Sequence, residues 1–328
     1  MSAATTLAAR VDQYLAERRR LGFRLGTTGY ALHSLAEHVR RCRHYGPLTL
    51  ELMAQWASQA KQGPGDRATW ARRLELLRPF TRWLRQFEPD TEVPEEPIFG
   101  RVPGRVAPHI YNDGEIAALL DAAGRIGPPS SPRGAVVQTV FALMACTGMR
   151  VSEALALTDA DVDWKAGVLT VRDSKCRHSR LVPLHPSAVS ALRHYRAERD
   201  RFVASTPDTP LFIACGGRRL GQPFCGRQLK RIFDELRRRL GWACRGGRDM
   251  PRLHDLRHTF AVRRLLQWRE QGVDMHQRML ALSTYFGHVK VSDTYWYLSA
   301  VPELMACVGA RFEQYVDAGQ EACEADDA

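Results

Sequence analysis

The chain has 328 residues, of which 45% are hydrophobic, and it carries a formal net charge of +11 at pH 7. This composition excludes an intrinsically disordered chain, the length favours two domains, and the positive charge favours a polyanionic partner. The eight cysteines include no Cys-x-x-Cys pair, which argues against a zinc finger or ribbon. No signal peptide is recognisable and no apolar run is long enough to cross a bilayer, so we expect a cytoplasmic protein with reduced thiols.

Residues 1–88 are predicted to form a helical domain with a basic surface. Apolar residues recur at three- and four-residue spacing in four stretches, as on the buried face of a helix. The fourth stretch, residues 67–85, carries six arginines and one acid, Glu75. Such an excess favours contact with phosphates over a merely solvated face, and Arg72, Arg73 and Arg78 are our candidates. The apolar stripes are Leu7, Val11 and Leu15; Leu32, Leu35 and Val39; Leu52, Met53 and Trp56; and Trp70, Leu74, Leu77 and Leu84.

A proline-rich segment follows over residues 89–110. Proline at this density prevents a continuous helix and favours an extended connection. We therefore predict a linker here, a second domain over residues 111–312, and an acidic tail over residues 313–328 with six acids and no base. The prolines of the linker are Pro89, Pro94, Pro97, Pro103 and Pro108.

Local signals in the second domain predict helices around a small β-sheet. Asn112 and Glu115 have the spacing of a capping box at a helix start. An apolar helix over residues 136–144 should end at Gly148, because glycine readily adopts the left-handed conformation found after a helix. Residues 168–172 and 180–184 flank a polar turn and predict a β-hairpin, and helical periodicity dominates from Leu192 onward. The expected fold class is mainly α with a small β-sheet.

The candidate chemistry centres on Tyr297, which follows His288 by nine residues. A phenol has an ordinary pKa of about 10 and is a poor nucleophile at neutral pH, so it needs partners. Arg150, at the predicted start of a helix, and Arg257 are suited to hold the nonbridging oxygens of a phosphate, which gain charge in the transition state. His254 lies three residues before Arg257, on the same face of a helix.

Each of these residues also has an ordinary structural interpretation. A lone arginine is usually a surface residue, Lys175 in a hairpin turn is usually solvated, and neighbouring aromatic residues usually belong to a core. In combination, in this order and at these spacings, they favour attack of a tyrosine on a phosphodiester. Tyr295 lies two residues before Tyr297 and is the competing nucleophile, but the spacing from His288 favours Tyr297.

Four separated boxes resemble the tyrosine recombinases, the lambda-integrase-like phage integrase family. Thr147-Gly-Met-Arg150-Val-Ser-Glu153 is similar to the family's first-arginine box, and Val171-Arg-Asp-Ser-Lys175 followed by Arg180-Leu-Val-Pro-Leu184 is similar to its hairpin lysine. His254-Asp-Leu-Arg257-His258 resembles its His-x-x-Arg box, and Phe286-Gly-His288 through Tyr297 resembles its Gly-His box and nucleophile. The match covers roughly residues 111–305. The run from Thr294 to Leu304 is similar to recombinases of transposon-borne, multi-recombinase elements.

The resemblance implies a helical core-binding (SAM-like) domain followed by an α+β catalytic domain. It implies no metal ion and no other cofactor. The implied partner is double-stranded DNA in the nucleoid, bound by a homo-oligomer, a tetramer on paired sites, alone or beside a second recombinase. Arg177 and Arg180, near the hairpin lysine, are further candidates for DNA contact. The implied roles are a 3′-phosphotyrosyl bond for Tyr297, transition-state stabilisation for Arg150, Arg257 and His288, proton transfer for Lys175 and His254, and a structural role for Glu153.

Three other functions stay open at this point. His254-Asp255-Leu-Arg-His258 superficially resembles the HExxH zinc helix of metallohydrolases, with Asp in place of Glu and no third ligand evident. A type IB topoisomerase shares the chemistry but relaxes DNA, and an idle relative would keep the fold as a DNA-binding protein. Phosphate contacts do not identify the target sequence, nor whether the outcome is integration, excision, resolution or transposition.

Overall fold

The computed structural model describes residues 6–59, 67–102, 104–128, 130–172, 179–243 and 250–299, and the chain divides into two compact units after Arg105. In the first unit, Thr6 and Thr49 cap two helices by accepting hydrogen bonds from the amides of Ala9 and Leu52, each at 3.3 Å. The helices among the described residues of this unit are α1 (Leu7–Arg20), α2 (Gly26–Arg41), α3 (Leu50–Ser58) and α4 (Arg67–Leu84).

The apolar stripes of the four helices meet in one core, as their periodicity predicts. Tyr14, Phe80 and Trp83 pack ring against ring, with centroids 5.3 to 6.0 Å apart. The proline-rich residues up to 102 contain no helix or strand and pack against this unit. The amide of Glu92 donates to the carbonyl oxygen of Leu48 at 2.9 Å.

The second unit consists of helices around a small sheet, which confirms the predicted fold class. In the part of this unit that the structure describes, two short 3-10 helices lie among the regular elements. The elements in chain order are α5 (Asp113–Gly124), α6 (Arg133–Thr147), α7 (Val151–Leu155), β1 (Val162–Asp163), β2 (Val168–Val171), β3 (Arg180–Pro183), α8 (Pro186–Arg199), α9 (Gly226–Arg239), α10 (Asp255–Glu270), α11 (Met275–Phe286) and α12 (Ser292–Ser299).

The sheet is antiparallel in the order β1, β2, β3, and it confirms the two strands of the predicted hairpin. Leu169 lies opposite Val182, and Val171 lies opposite Arg180. The turn of the hairpin, residues 173–178, lies outside the described residues. The sheet therefore brings Arg180 to the end of the hairpin that carries the turn.

Two local predictions for helix ends are also confirmed. The amide of Glu115 donates to Oδ1 of Asn112 at 2.8 Å, and Oε2 of Glu115 accepts from the amide of Asn112 at 2.9 Å, so both halves of the capping box form. Helix α6 ends at Gly148, which has a φ of 63°.

Helix α6 lies at the centre of the main core, where Val136, Val140 and Phe141 have no exposed surface. A separate apolar cluster joins α10, α11 and α12, and it includes Phe286 and Tyr297. Within the described part of the chain, no helix combines the length and apolar character that crossing a membrane demands.

Candidate active site

Arg150 stands at the start of α7, directly after the turn that ends α6. Its backbone amide donates to Oε2 of Glu153 at 2.9 Å, and its Nη1 donates to Oε1 of the same residue at 2.7 Å. The turn requires Gly148, because a Cβ atom there would lie 2.8 Å from ring atoms of Phe260 and of Phe286. The glycine turn and the carboxylate together fix the direction of the Arg150 side chain.

Arg257 lies in the first turn of α10 and is 1% exposed. Its Nη1 donates to the carbonyl oxygen of Gly148 at 2.7 Å, and its Nη2 donates to that of Phe286 at 2.9 Å. The Cζ atom of Arg257 lies 4.0 Å from the centre of the Phe286 ring. Burial lowers the pKa of Arg257 to about 10, so the guanidinium stays charged at neutral pH. A fixed positive charge therefore lies beside Arg150, whose Nη1 also reaches the Phe286 oxygen at 3.3 Å.

Glu153 holds Arg150 in place, as expected of a structural residue. Its side chain is 6% exposed and also pairs with Arg180 of β3 at 2.7 Å. Burial alone would raise the pKa of Glu153, but hydrogen bonds from Arg180 and Arg150 outweigh that effect and lower the pKa to about 2. The carboxylate is therefore ionised at neutral pH.

His288 is oriented from both of its ring nitrogens. Nη2 of Arg257 lies 3.2 Å from Nε2 of His288, and Nδ1 of His288 lies 2.7 Å from Oγ1 of Thr294. A guanidinium can only donate, so Nε2 accepts, and a neutral His288 carries its proton on Nδ1 and donates it to the threonine hydroxyl. Thr294 has no exposed surface, which makes it a buried support for the ring.

Tyr297 lies beside these arginine and histidine side chains, and Tyr295 does not. Tyr297 is 3% exposed, whereas Tyr295 is 39% exposed. The ring of Tyr297 lies 5.5 Å from that of His258 and 6.3 Å from that of His288, nearly parallel to the latter at 22°. The tyrosine that follows His288 by nine residues is therefore the one beside the two histidines.

His254 immediately precedes α10, and its ring centre lies 5.0 Å from that of His258. Protein atoms surround much of the imidazole although the residue as a whole is exposed, and this loss of hydration is the main reason that its pKa falls to about 4. The charges of Arg257 and Arg252 lower the pKa further. His254 is therefore neutral at pH 7 and able to accept a proton.

Asp255, the carboxylate that a zinc helix would require, binds Arg252 instead. Asp255 has no exposed surface and accepts from the amide of Arg252 at 2.8 Å and from its Nη2 at 2.9 Å. Among the described residues, no group of three His, Cys, Asp or Glu side chains is arranged to hold a metal ion.

The arginines proposed to contact DNA differ in their exposure and in their partners within the protein. Arg72 is exposed on α4. Arg73 donates to the carbonyl oxygen of Trp56 at 3.2 Å and lies over its ring, and Arg78 donates to that of Pro94 at 2.6 Å, so both arginines have partners within the first unit. The side chain of Arg180 is held by Glu153 and is 9% exposed, and a DNA contact from it stays a prediction. Lys175 and Arg177 lie outside the described residues.

The support that Thr294 gives could have been predicted from the sequence, whereas the surroundings of Arg180 could not. Thr294 precedes Tyr297 by three residues on α12, so the helical spacing was a signal that both face the same way. Arg180 carried no such signal, because its partners Glu153 and Tyr285 lie 27 and 105 residues away.

Known proteins resemble the chain over most of its length. Residues 112–303 match the model of the phage integrase family. The integrase/recombinase y4rB of Sinorhizobium fredii is 35% identical over 316 residues, which cover 94% of this chain and 98% of the relative. The tyrosine recombinase XerC of Chromobacterium violaceum is 31% identical over 249 residues, which cover 75% of this chain and 74% of the relative.

Solved structures share the fold at low sequence identity. The Tn1549 transposon integrase in complex with transposon right end DNA has a TM-score of 0.61 at 15% identity, covering 89% of this chain and 94% of that one. A lambda integrase dimer bound to a core site has a TM-score of 0.59 at 18% identity, covering 89% of this chain and 77% of that one.

Proposed function

The chain belongs to the phage integrase family, and on that premise we propose that it is a site-specific recombinase that cleaves and rejoins DNA through a 3′-phosphotyrosyl intermediate on Tyr297. The observation that supports this most strongly is the convergence of Arg150 and Arg257 on one carbonyl oxygen, that of Phe286, beside His288. Two fixed cations at one point are what the charge developing on a phosphodiester requires.

In the proposed reaction, a bond forms between phosphorus and the phenolic oxygen of Tyr297, and the bond to the 5′ oxygen breaks. Arg150 and Arg257 hold the nonbridging oxygens, and His288 joins them when its Nε2 carries a proton that it donates to the phosphate in place of its contact with Arg257. The phenolic proton passes to a base, for which the resemblance of residues 254–258 to the family's His-x-x-Arg box makes His254 the candidate. Rejoining reverses these steps, and the covalent link conserves the energy of the phosphodiester.

Lys175 is the proposed donor of the proton that the leaving 5′ oxygen gains. The two strands that flank this segment are β2, which ends at Val171, and β3, which begins at Arg180.

Tyr297 itself is 3% exposed, so attack requires the side chains around it to move apart enough to admit a phosphate.

The proposed substrate is double-stranded DNA at the ends of a mobile element. This rests on the names of the relatives, which include an integrase of the Tn1549 transposon bound to transposon right end DNA. We further propose a core-binding domain at residues 1–88 that contacts DNA through Arg72, a linker at residues 89–110, a catalytic domain at residues 111–312, and a homotetramer on paired sites, alone or with a second recombinase.

Covalent capture tests this function and identifies the target sequence in the same experiment. The protein is incubated, in the presence of a chelator, with nicked duplexes of randomised sequence, and DNA attached to denatured protein is sequenced. We expect a defined sequence to be captured. Two intact copies of that sequence are then tested for strand exchange and, on a supercoiled plasmid, for relaxation. Capture without exchange but with efficient relaxation indicates a topoisomerase, and the absence of capture indicates an idle relative.

A further inference from the structure

Arg180 was expected to face DNA, but in the structure its guanidinium is bound by other parts of the protein. Its Nε donates to the carbonyl oxygen of Tyr285 at 2.7 Å. Its Nη1 and Nη2 donate to Oε1 and Oε2 of Glu153 at 3.1 and 2.7 Å. All three nitrogens of the guanidinium therefore have partners within the second unit.

This arginine joins three segments of the candidate active site. It starts β3, holds Glu153 of α7, and binds a carbonyl near the end of α11. It also lies against Gly287, where a Cβ atom would be 3.3 Å from Nη1 of Arg180. Gly287 immediately precedes His288, so the backbone that presents the histidine is in contact with the arginine.

Glu153 is shared unequally by its two arginines. Arg180 binds both carboxylate oxygens, whereas the side chain of Arg150 reaches Oε1 through Nη1 alone. Arginine and carboxylate readily form a bidentate pair, with two nitrogens on two oxygens. Without Arg180, Glu153 is free to pair with Arg150 in that way, which withdraws a second nitrogen of Arg150 from any phosphate.

We propose that Arg180 is a positioning residue for the cleavage reaction: its bidentate hold on Glu153 leaves Arg150 directed at the scissile phosphate. The inference rests on the proposed function, since it concerns the same reaction. Arg180 touches no reacting atom and acts through Glu153 and Arg150.

The test measures single-turnover formation of the covalent adduct on a captured nicked duplex at saturating protein. Arg180→Met is expected to lower this rate about 100-fold, the usual loss when a transition-state donor is misdirected. Arg180→Lys keeps the charge but not the fork, and a loss of about 10-fold is expected. Affinity for the duplex should change less than about twofold for both variants, because all three guanidinium nitrogens of Arg180 are bound within the protein.

Arg172→Met is the matched control from the same hairpin. Arg172 also pairs with an acid, Asp161, but its side chain is 62% exposed and the pair lies outside the cluster. Its substitution should leave the rate of adduct formation unchanged. Thermal melts report folding, and Arg180→Lys carries the same test if Arg180→Met does not fold.

Two further readouts separate positioning from general damage. The double variant Arg180→Met/Glu153→Gln should react no more slowly than Glu153→Gln alone, because Arg180 then has no carboxylate to hold. A methylphosphonate at the scissile position removes the charge that Arg150 neutralises, so the deficit of Arg180→Met should shrink at least about 10-fold on that substrate.

Losses that multiply in the double variant, or a deficit unchanged on the methylphosphonate, overturn the inference. So does weakened DNA affinity with an unchanged rate at saturation, which indicates a direct DNA contact. If the wild type forms no adduct with any duplex, the proposed function fails, and this inference fails with it. A reactive wild type with an equally reactive Arg180→Met overturns the inference alone.

Discussion

Arg150 and Arg257 donate hydrogen bonds to the same backbone oxygen, the carbonyl of Phe286, at 3.3 and 2.9 Å. Each guanidinium also has a second anchor, Glu153 for Arg150 and the carbonyl oxygen of Gly148 for Arg257. Donors held in this way need no rearrangement when charge develops between them. The cationic part of the site is therefore preformed by the fold.

Gly148→Ala should damage both stability and adduct formation. An alanine at a φ of +63° is strained, and its Cβ atom lies 2.8 Å from Phe260 and Phe286. Strain and overpacking together should cost about 2–4 kcal/mol, and displacement of the Gly148 carbonyl should misplace Arg257. Gly272→Ala is the control, because Gly272 has a φ of +65° but open space around the added atom. Equal losses in chemical unfolding and activity for the two variants would contradict this account.

Thr294→Val should slow cleavage while leaving the fold intact. Valine fills the same buried space but cannot accept the hydrogen bond from Nδ1 of His288. Thr294→Ser keeps the hydroxyl and is expected to retain most of the activity. The rate of adduct formation with saturating DNA should fall about 10-fold or more for valine, the scale of a lost orienting hydrogen bond. Matching rates for valine and serine would remove Thr294 from the site.

The stability of the protein should fall on acidification in a window set by His254. The pKa of His254 is about 4 in the folded chain and 6.5 ordinarily, so the unfolded chain takes up the proton first. Above pH 6.5 His254 is neutral in both the folded and the unfolded chain and costs no stability. As the pH falls from 6.5 toward 4, the unfolded chain alone binds the proton, and the free energy of unfolding decreases. His254→Gln should remove about 1 kcal/mol of the change between pH 7 and pH 5, a figure discounted for the solvent that reaches the residue. Urea unfolding at both pH values measures this change in the free energy of unfolding. Identical pH profiles for wild type and variant would exclude a contribution from His254.

DNA affinity should weaken steeply with salt because basic side chains displace counterions from phosphates. Arg72 is exposed and should account for about one unit of the slope of log K against log salt, a unit that Arg72→Gln removes. Arg73→Gln is the comparison, since Arg73 is bound to Trp56 and should leave the slope unchanged. A flat salt response in the wild type would contradict DNA binding through the basic surface.

Features set by neighbouring residues could be predicted from the sequence, and features set by distant ones could not. The capping box at Asn112, the helix end at Gly148 and the hairpin strands all follow from local chemistry. The convergence at the Phe286 oxygen uses backbone carbonyls, which every residue has and which leave no trace in a sequence. For the same reason the hydrogen bond from Arg78 to the carbonyl oxygen of Pro94 could not be predicted. The excess of arginines on α4 predicted a phosphate contact for Arg78 instead.

The central claim is that Tyr297 is the nucleophile, and a matched pair of variants tests it most directly. Tyr297→Phe and Tyr295→Phe each remove one hydroxyl, from the buried and the exposed tyrosine of α12 respectively. Adduct on the captured nicked duplex is measured after denaturation, and the attached peptide is identified by mass spectrometry. We expect no adduct from Tyr297→Phe and near wild-type adduct, attached at Tyr297, from Tyr295→Phe. Adduct from Tyr297→Phe together with its loss from Tyr295→Phe would contradict the account.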